Sequence, residues 1–396
     1  MSNQQDKPST RLLHAGRPAS GWVNTPVTRA STFVFESVAQ WRDARVRRET
    51  ERVITYGARG TDSTHALEDA VVELEGGHGA RLFPTGQAAI AVALLAYLRA
   101  GDHVLVSDAV YEPVRKFCAG HLARLGIEST FYLPDGSDIA SKIRPNTRVI
   151  YVESPGSLTY DMLDLPAVSA LAHQHDCLVL ADNTWGSGLL YTPLALGADV
   201  SILAATKYLG GHADVVMGAV VANKRAWTAL EAAAVAFGQT VGADDAFLVL
   251  RGIRTLPLRL KAHQQSALTI ASWLQARPEI RRVLCPALPS DPNHALWQRD
   301  CRGTNGLLSI EFNHDVGAAD VDRLIDSLRL FGLGASWGGF ESLAIPLDLT
   351  RVRSVTDWSD RGAVVRLHIG LEDTDDLIAD LDQAMSFLRA PQAPST

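Results

Sequence analysis

Between residues 103 and 205 the chain repeats one pattern, a short and almost wholly apolar run followed by a helical segment. Residues 103–107, 147–153, 177–182 and 200–205 are such runs, and residues 165–175 read as a helix between two of them. Strands that are apolar on both faces have to be covered on both faces, and the helices supply the crossovers that parallel neighbours need. The expected fold class is therefore α/β, a mostly parallel sheet covered by helices. Ligands of such sheets gather at the carboxyl ends of the strands. Tyr111, Glu153, Asp182 and Lys207 all stand at or just after strand ends.

Lys207 closes the last of these runs, and two glycines, Gly210 and Gly211, follow closely. Burial penalises an ammonium group, and the penalty disappears when the amine forms a Schiff base with a carbonyl cofactor. A lone lysine here would read as a side chain snorkelling to solvent. Two upstream features change that reading. Asp182, followed by Asn183, Thr184 and Trp185, puts a carboxylate at a strand end, where a pyridinium nitrogen is one partner for it. Taken singly, it would be a turn or helix-cap aspartate. Residues 81–87 form a short apolar segment that turns at Gly86-Gln87 into a strongly helical run over 88–98. Backbone N–H groups at such a helix start favour a phosphate, although many helices start this way without one. Asp182 precedes Lys207 by 25 residues, room for one crossover and one strand. Together, Gly86, Gln87, Asp182, Thr206 and Lys207 match the phosphate, ring nitrogen and aldehyde of pyridoxal 5′-phosphate.

The rest of the sequence excludes other classes. The formal net charge is −7 and no long basic run occurs, so no nucleic-acid surface is expected. Neither G-x-G-x-x-G nor G-x-x-x-x-G-K-[ST] is present, which leaves dinucleotides and triphosphates without support. The longest apolar run, 88–98, falls short of the ~20 residues of a membrane span, and residues 1–8 carry no apolar core of a signal peptide. Cys118, Cys177, Cys285 and Cys301 are scattered and read as reduced thiols of a cytoplasmic protein. His173 and His175 are spaced i, i+2 on a helix, which separates the rings, so a solvated helix end is expected there and no metal site.

Three regions are expected: an arm over 1–60, a large cofactor-binding domain over 61–243, and a linker helix with a smaller α+β C-terminal domain over 244–396. The stretch 244–261 is helical in pattern, with Pro257 expected to interrupt it, and the tail 389–396 is expected to fray.

Several segments together resemble the Cys/Met-metabolism family of fold-type I pyridoxal-phosphate enzymes, within it the cystathionine β-lyase branch. They are Thr10 to Gly16, Leu74-Glu75-Gly76-Gly77, Tyr111-Glu112-Pro113, Glu153-Ser154-Pro155-Gly156-Ser157, Asp182 to Trp185, Thr206-Lys207, Ser336-Trp337-Gly338-Gly339 and Arg366-Leu367-His368-Ile369-Gly370. The resemblance implies that Lys207 is the Schiff-base lysine and the base for the Cα proton. It implies that Asp182 pairs with the pyridine nitrogen, that Tyr111 stacks on the ring and can move protons, and that Gly86, Gln87 and Thr206 hold the phosphate. It further implies that Arg366 clamps the substrate α-carboxylate, with Trp337 and Ser336 beside it. Tyr56 is then expected to reach a neighbouring subunit's site, which makes a homo-oligomer, at least a dimer and commonly a tetramer. Family members carry an arginine two residues after this tyrosine. Here Ala58 stands there and Arg59 follows, and on an extended segment the two would point to opposite sides, so Arg59 is expected to reach the cofactor phosphate by a shift of the loop. The reaction implied is β-elimination of L-cystathionine, or a related cysteine thioether, to a thiol, pyruvate and ammonia. The alternatives are another cysteine-conjugate lyase or a γ-elimination or replacement enzyme of the family, and, in a different class, a cofactor-binding regulator.

Overall fold

The computed structural model describes residues 6–389. Seven strands form the first sheet: β1 (Gly79–Phe83), β2 (His103–Ser107), β3 (Glu128–Tyr132), β4 (Thr147–Glu153), β5 (Leu178–Asp182), β6 (Val200–Leu203) and β7 (Gly218–Ala222). Their order is β1-β7-β6-β5-β4-β2-β3, with β7 antiparallel to both neighbours and the remaining pairs parallel. β2 and β7 are buried along their whole length, as expected of strands covered on both faces. Tyr151 on β4 and Val106 on β2 pack into one helix-covered core, and Ile150 and Leu105 into another, so alternate side chains serve opposite faces.

The expected strands thus form, each within a residue or two of its predicted ends. β3 and β7 lie outside the sequence reading. Glu128 to Tyr132 is half polar, and Gly218 to Ala222 consists of small residues that suit helix and strand alike.

A second sheet holds β8 (Ile280–Leu284), β9 (Leu307–Phe312), β10 (Gly332–Leu333), β11 (Leu343–Leu347) and β12 (Val364–His368), in the order β10-β11-β12-β9-β8. All its pairs are antiparallel except β10 with β11. One helix, Ala243–Gln275, packs against Asp62–Glu75 of the first half and against β8 and β9 of the second.

That helix corrects one expectation, because it runs through Pro257 without a break. Proline removes one i to i−4 hydrogen bond at a cost of ~3 kcal/mol. The flanking buried stripe of Ile253, Leu256 and Leu260 offsets that cost by burying several apolar side chains at about 1.5–3 kcal/mol each. His173 and His175 are exposed at the helix end, as expected, and His173 Nε2 also lies 2.9 Å from the buried carboxylate of Asp199. The four cysteines form no disulfide; three are buried and Cys301 is half-buried. Among the described residues, no helix is long and apolar enough to cross a membrane. Residues 390–396, part of the tail expected to fray, lie outside the described residues.

Candidate active site

The carboxyl ends of β4, β5 and β6, together with the loop between β10 and β11, wall a cavity of about 710 Å³. Gly86, Gln87, Tyr111, Asp182, Thr206, Lys207, Ser336, Trp337 and Arg366 all line it. Nine of the eleven residues expected at the site therefore converge, although more than 270 positions separate the first from the last.

Asp182 is the last residue of β5 and is buried. Its Oδ1 accepts from the backbone N–H of Thr184 at 3.0 Å and the Thr184 hydroxyl at 2.6 Å, and its Oδ2 accepts from Tyr151 at 3.4 Å. Burial raises its pKa against these donors, and among the described residues it has no ion-pair partner. A buried carboxylate so placed is matched by a protonated ring nitrogen.

Lys207 sits beyond β6, half-buried. Its Nζ donates to Ser336 Oγ at 2.7 Å and lies 5.3 Å from the centroid of the Trp337 ring. Burial, and then the Arg366 guanidinium, lower its pKa to about 8 against the opposing pull of Asp182. A lysine amine in that range is partly neutral near pH 8 and can act as nucleophile or base.

The helix Gly86–Tyr97 opens into the cavity. Its cap is Thr85, whose hydroxyl accepts from Ala88 N at 2.9 Å. The N–H groups of Gly86 and Gln87 stand before that bonded position, in the first turn where intrahelical partners are missing. A Cβ on Gly86 would lie 2.9 Å from the Cβ of Ala204, so glycine is what lets this helix start abut the end of β6. The Gln87 Oε1 atom is buried without a partner. Thr206 is tied by its own hydroxyl to Met217, donating to the carbonyl at 3.1 Å and accepting from the N–H at 2.9 Å.

On the opposite wall, Arg366 projects from the middle of β12. It is 5 % exposed; its Nη2 donates to Ser336 O at 2.9 Å and its Nε has no partner. Burial lowers its pKa, and no carboxylate among the described residues pairs with it. A guanidinium left unpaired at this depth fits a ligand carboxylate, which it can bind as a fork. Tyr111, half-exposed at the mouth, is held by its backbone N–H to Glu153 Oε2 at 2.7 Å. Burial and the neighbouring Asp182 push the Glu153 carboxyl well above the usual carboxylate range, against the opposing N–H of Tyr111.

The donors therefore fit pyridoxal phosphate. The helix start offers an anion site, a buried carboxylate can meet a cationic nitrogen, and an amine with lowered pKa lines the same cavity. Sequence reasoning places Glu153 at a strand end but gives no sign of its bond to Tyr111. Thr184 was legible, because a hydroxyl two residues after a strand-end aspartate is an Asx-turn pattern. Tyr151, inside a buried strand, carried no signal.

Tyr56 and Arg59 do not line this cavity. They border another of about 670 Å³, beside Glu68, Arg81, Trp227 and Glu231. The loop is not extended either, because Gly57–Arg59 is a 3-10 turn closed by Gly60 at φ +115°. Ala58 and Arg59 point about 120° apart, rather than to opposite sides.

A family profile described as Cys/Met metabolism PLP-dependent enzyme matches residues 9–386. The chain is 49% identical over 387 residues to the cystathionine beta-lyase of Bordetella avium, which covers 95% of this chain and 96% of that one. It is 42% identical over 385 residues to cystathionine beta-lyase MetC of Escherichia coli (strain K12), covering 95% and 97%. Among solved structures, metB from Corynebacterium glutamicum aligns with a TM-score of 0.89 at 30% identity, over 98% of this chain and 100% of that one. The lysine, carboxylate and helix start line one cavity and the profile spans almost the whole sequence: the chain belongs to the Cys/Met-metabolism family of PLP-dependent enzymes.

Proposed function

We propose that this protein is a PLP-dependent carbon–sulfur lyase that cleaves L-cystathionine by β-elimination, with one water consumed in hydrolysing the eliminated product, into homocysteine, pyruvate and ammonia. The single observation that carries the reading is the pairing of Lys207 with a buried, unpaired Arg366 across one cavity. An amino-acid substrate whose α-carboxylate meets Arg366 presents its Cα toward Lys207. The similarity to curated cystathionine beta-lyases over nearly the full length supports this branch.

Bound with its phosphate at Gly86, Gln87 and Thr206 and its ring nitrogen at Asp182, pyridoxal phosphate supplies the electron sink that lets the Cα proton leave. Lys207 Nζ, neutral once its proton is shed near pH 8, takes that proton. Ser336 Oγ orients the amine by accepting its N–H. Arg366 fixes the carboxylate and so the orientation of the Cα–H bond. Trp337 closes the side of the cavity beside Lys207, and Tyr111 covers the mouth, where its phenol can pass a proton to the departing thiolate.

The reading includes a homo-oligomer, with Tyr56 and Arg59 of one subunit completing the site of the next, and a cytoplasmic enzyme of sulfur amino-acid metabolism. It divides the chain at residues 60 and 243. Arg59 stands in for the missing cation at Ala58 and contacts the cofactor phosphate; Arg59→Ala tests this, and unchanged cofactor affinity sinks it. The main reading is tested by trapping the cofactor with borohydride and mapping the labelled peptide by mass spectrometry. Label on Lys207 is expected, and label on another lysine overturns the assignment.

A further inference from the structure

The loop 334–339, which brings Ser336 and Trp337 to Lys207, is held almost wholly from outside. Ser336 adopts φ +84°, where residues other than glycine are uncommon, and Gly338 follows at φ +87°. A Cβ at Gly338 would lie 2.8 Å from the backbone nitrogen of Tyr208, so the loop rests directly on the backbone of the lysine segment.

β12 supplies the ties. Arg366 and His368 are two residues apart on it, so both side chains leave the same face. Arg366 Nη2 donates to Ser336 O at 2.9 Å. His368 Nε2 lies 3.1 Å from Gly338 N and 3.2 Å from Gly339 O. One nitrogen cannot serve both partners in one tautomer. A neutral ring protonated on Nδ1 accepts from Gly338 N–H, and the other tautomer donates to Gly339 O. Burial, and then the nearby His263, push the His368 pKa down to about 3, which keeps the ring neutral.

The two ties differ in what else they must do. Arg366 and Lys207 both bond to Ser336, and both have a second task, Arg366 with the substrate carboxylate and Lys207 with the cofactor and the Cα proton. His368 has no such second task. It is fully buried, does not line the cavity, and is walled by Tyr208 and His263, with ring centroids 6.0 and 5.4 Å away. Tyr208 in turn packs on Trp337 at 5.4 Å.

We infer that His368 is a positioning residue for the reaction, holding Trp337 and Ser336 against the lysine segment while Arg366 is engaged by the substrate carboxylate and Lys207 by the cofactor and then the Cα proton. The inference rests on the functional reading above, in which both of those groups act on an amino-acid substrate. Without His368 the substrate-free holoenzyme still has the Ser336 bond from Arg366, which the substrate carboxylate then draws on, so the loop comes loose chiefly in the substrate complex. The loss then falls on KM more than on kcat.

The test compares holoenzyme carrying His368→Leu and His368→Gln with the parent protein. Leucine fills the space without a polar atom; the glutamine amide can again meet Gly338 or Gly339. Absorbance of the bound cofactor, thermal midpoint, and kcat and KM for cystathionine are measured for each. A full cofactor band is expected in both variants. KM should rise at least tenfold in His368→Leu with kcat within threefold, and most of the rise should be recovered in His368→Gln. Unchanged KM in His368→Leu overturns the assignment. So does a lower thermal midpoint with KM unmoved, or failure of both variants to fold, since each makes the role purely structural. A parent protein without the cofactor band, or inert toward cystathionine, contradicts the functional reading instead and is told apart by that control.

Discussion

Replacing Arg366 by leucine separates a ligand-binding guanidinium from a structural one. The side chain is 5 % exposed, hydrogen-bonds only to the carbonyls of Ser336 and Gly334, and leaves its Nε without a partner. Removing it leaves the Ser336 carbonyl unpaired, at about 1–3 kcal/mol. Against that, a buried cation without a counter-charge carries a desolvation penalty of several kcal/mol, which the leucine abolishes. The two nearly cancel, so stability should change by no more than about 1 kcal/mol, a few degrees in thermal midpoint. A substrate carboxylate loses its partner in full. Truncating one side of a buried charge pair costs about 2–5 kcal/mol, so kcat/KM should fall by roughly 30-fold to 5,000-fold. The assay is pyruvate release over a range of cystathionine, with a thermal melt of the same preparation. A melt lowered by about 3–5 kcal/mol would mark a broken structural ion pair and refute the reasoning. Unchanged kcat/KM would refute it equally.

Three further outcomes follow from the same geometry. Gly86→Ala puts a Cβ 2.9 Å from Ala204, forcing the helix start off the end of β6; cofactor titration should show at least tenfold weaker binding, and overpacking should destabilise the fold by about 1–3 kcal/mol. Asp182→Asn removes the anion that favours protonated Lys207, so in the cofactor-free protein the lysine should lose its proton below pH 8, seen as cofactor capture accelerating at lower pH than in the parent. Asp108, fully buried, accepts from Arg115 and from the backbone N–H groups of Ser354, Val355 and Thr356, pinning the segment after β11 to the first sheet. Burial raises its pKa, but those hydrogen bonds outweigh it and hold it below the usual value. Its stabilising effect is therefore present above about pH 4 and lost as the pH falls further, and Asp108→Asn should flatten that acid limb of the melting curve.

The strands that bear the site were legible because buried parallel strands have a plain signature. A run such as Thr147–Glu153 needs no partner to be read, whereas β7 is a strand only because β1 and β6 flank it. Asp182 and Lys207 were legible for a related reason, since charged groups at the ends of apolar runs demand an explanation. Arg366 is different. Within Val364–His368 it could equally have paired with a surface carboxylate, and only the fold shows it buried and unpaired; the family resemblance, rather than any spacing, pointed to it. The Glu153–Tyr111 bond, which joins residues 42 positions apart, and the His368 ties to Gly338 and Gly339, 30 and 29 positions away, have no local trace. Pro257 failed as a helix breaker because long-range burial on both sides of it outweighs one lost hydrogen bond.

The central claim, β-elimination from a cysteine thioether, is tested most directly by product identity. Purified, cofactor-loaded protein is given L-cystathionine, and pyruvate, 2-oxobutyrate and the released thiol are measured together. Pyruvate with an equal amount of homocysteine is the predicted result. 2-Oxobutyrate with cysteine would put the cleavage on the γ side and contradict the account, and a protein that binds the cofactor yet releases no product would contradict it as well.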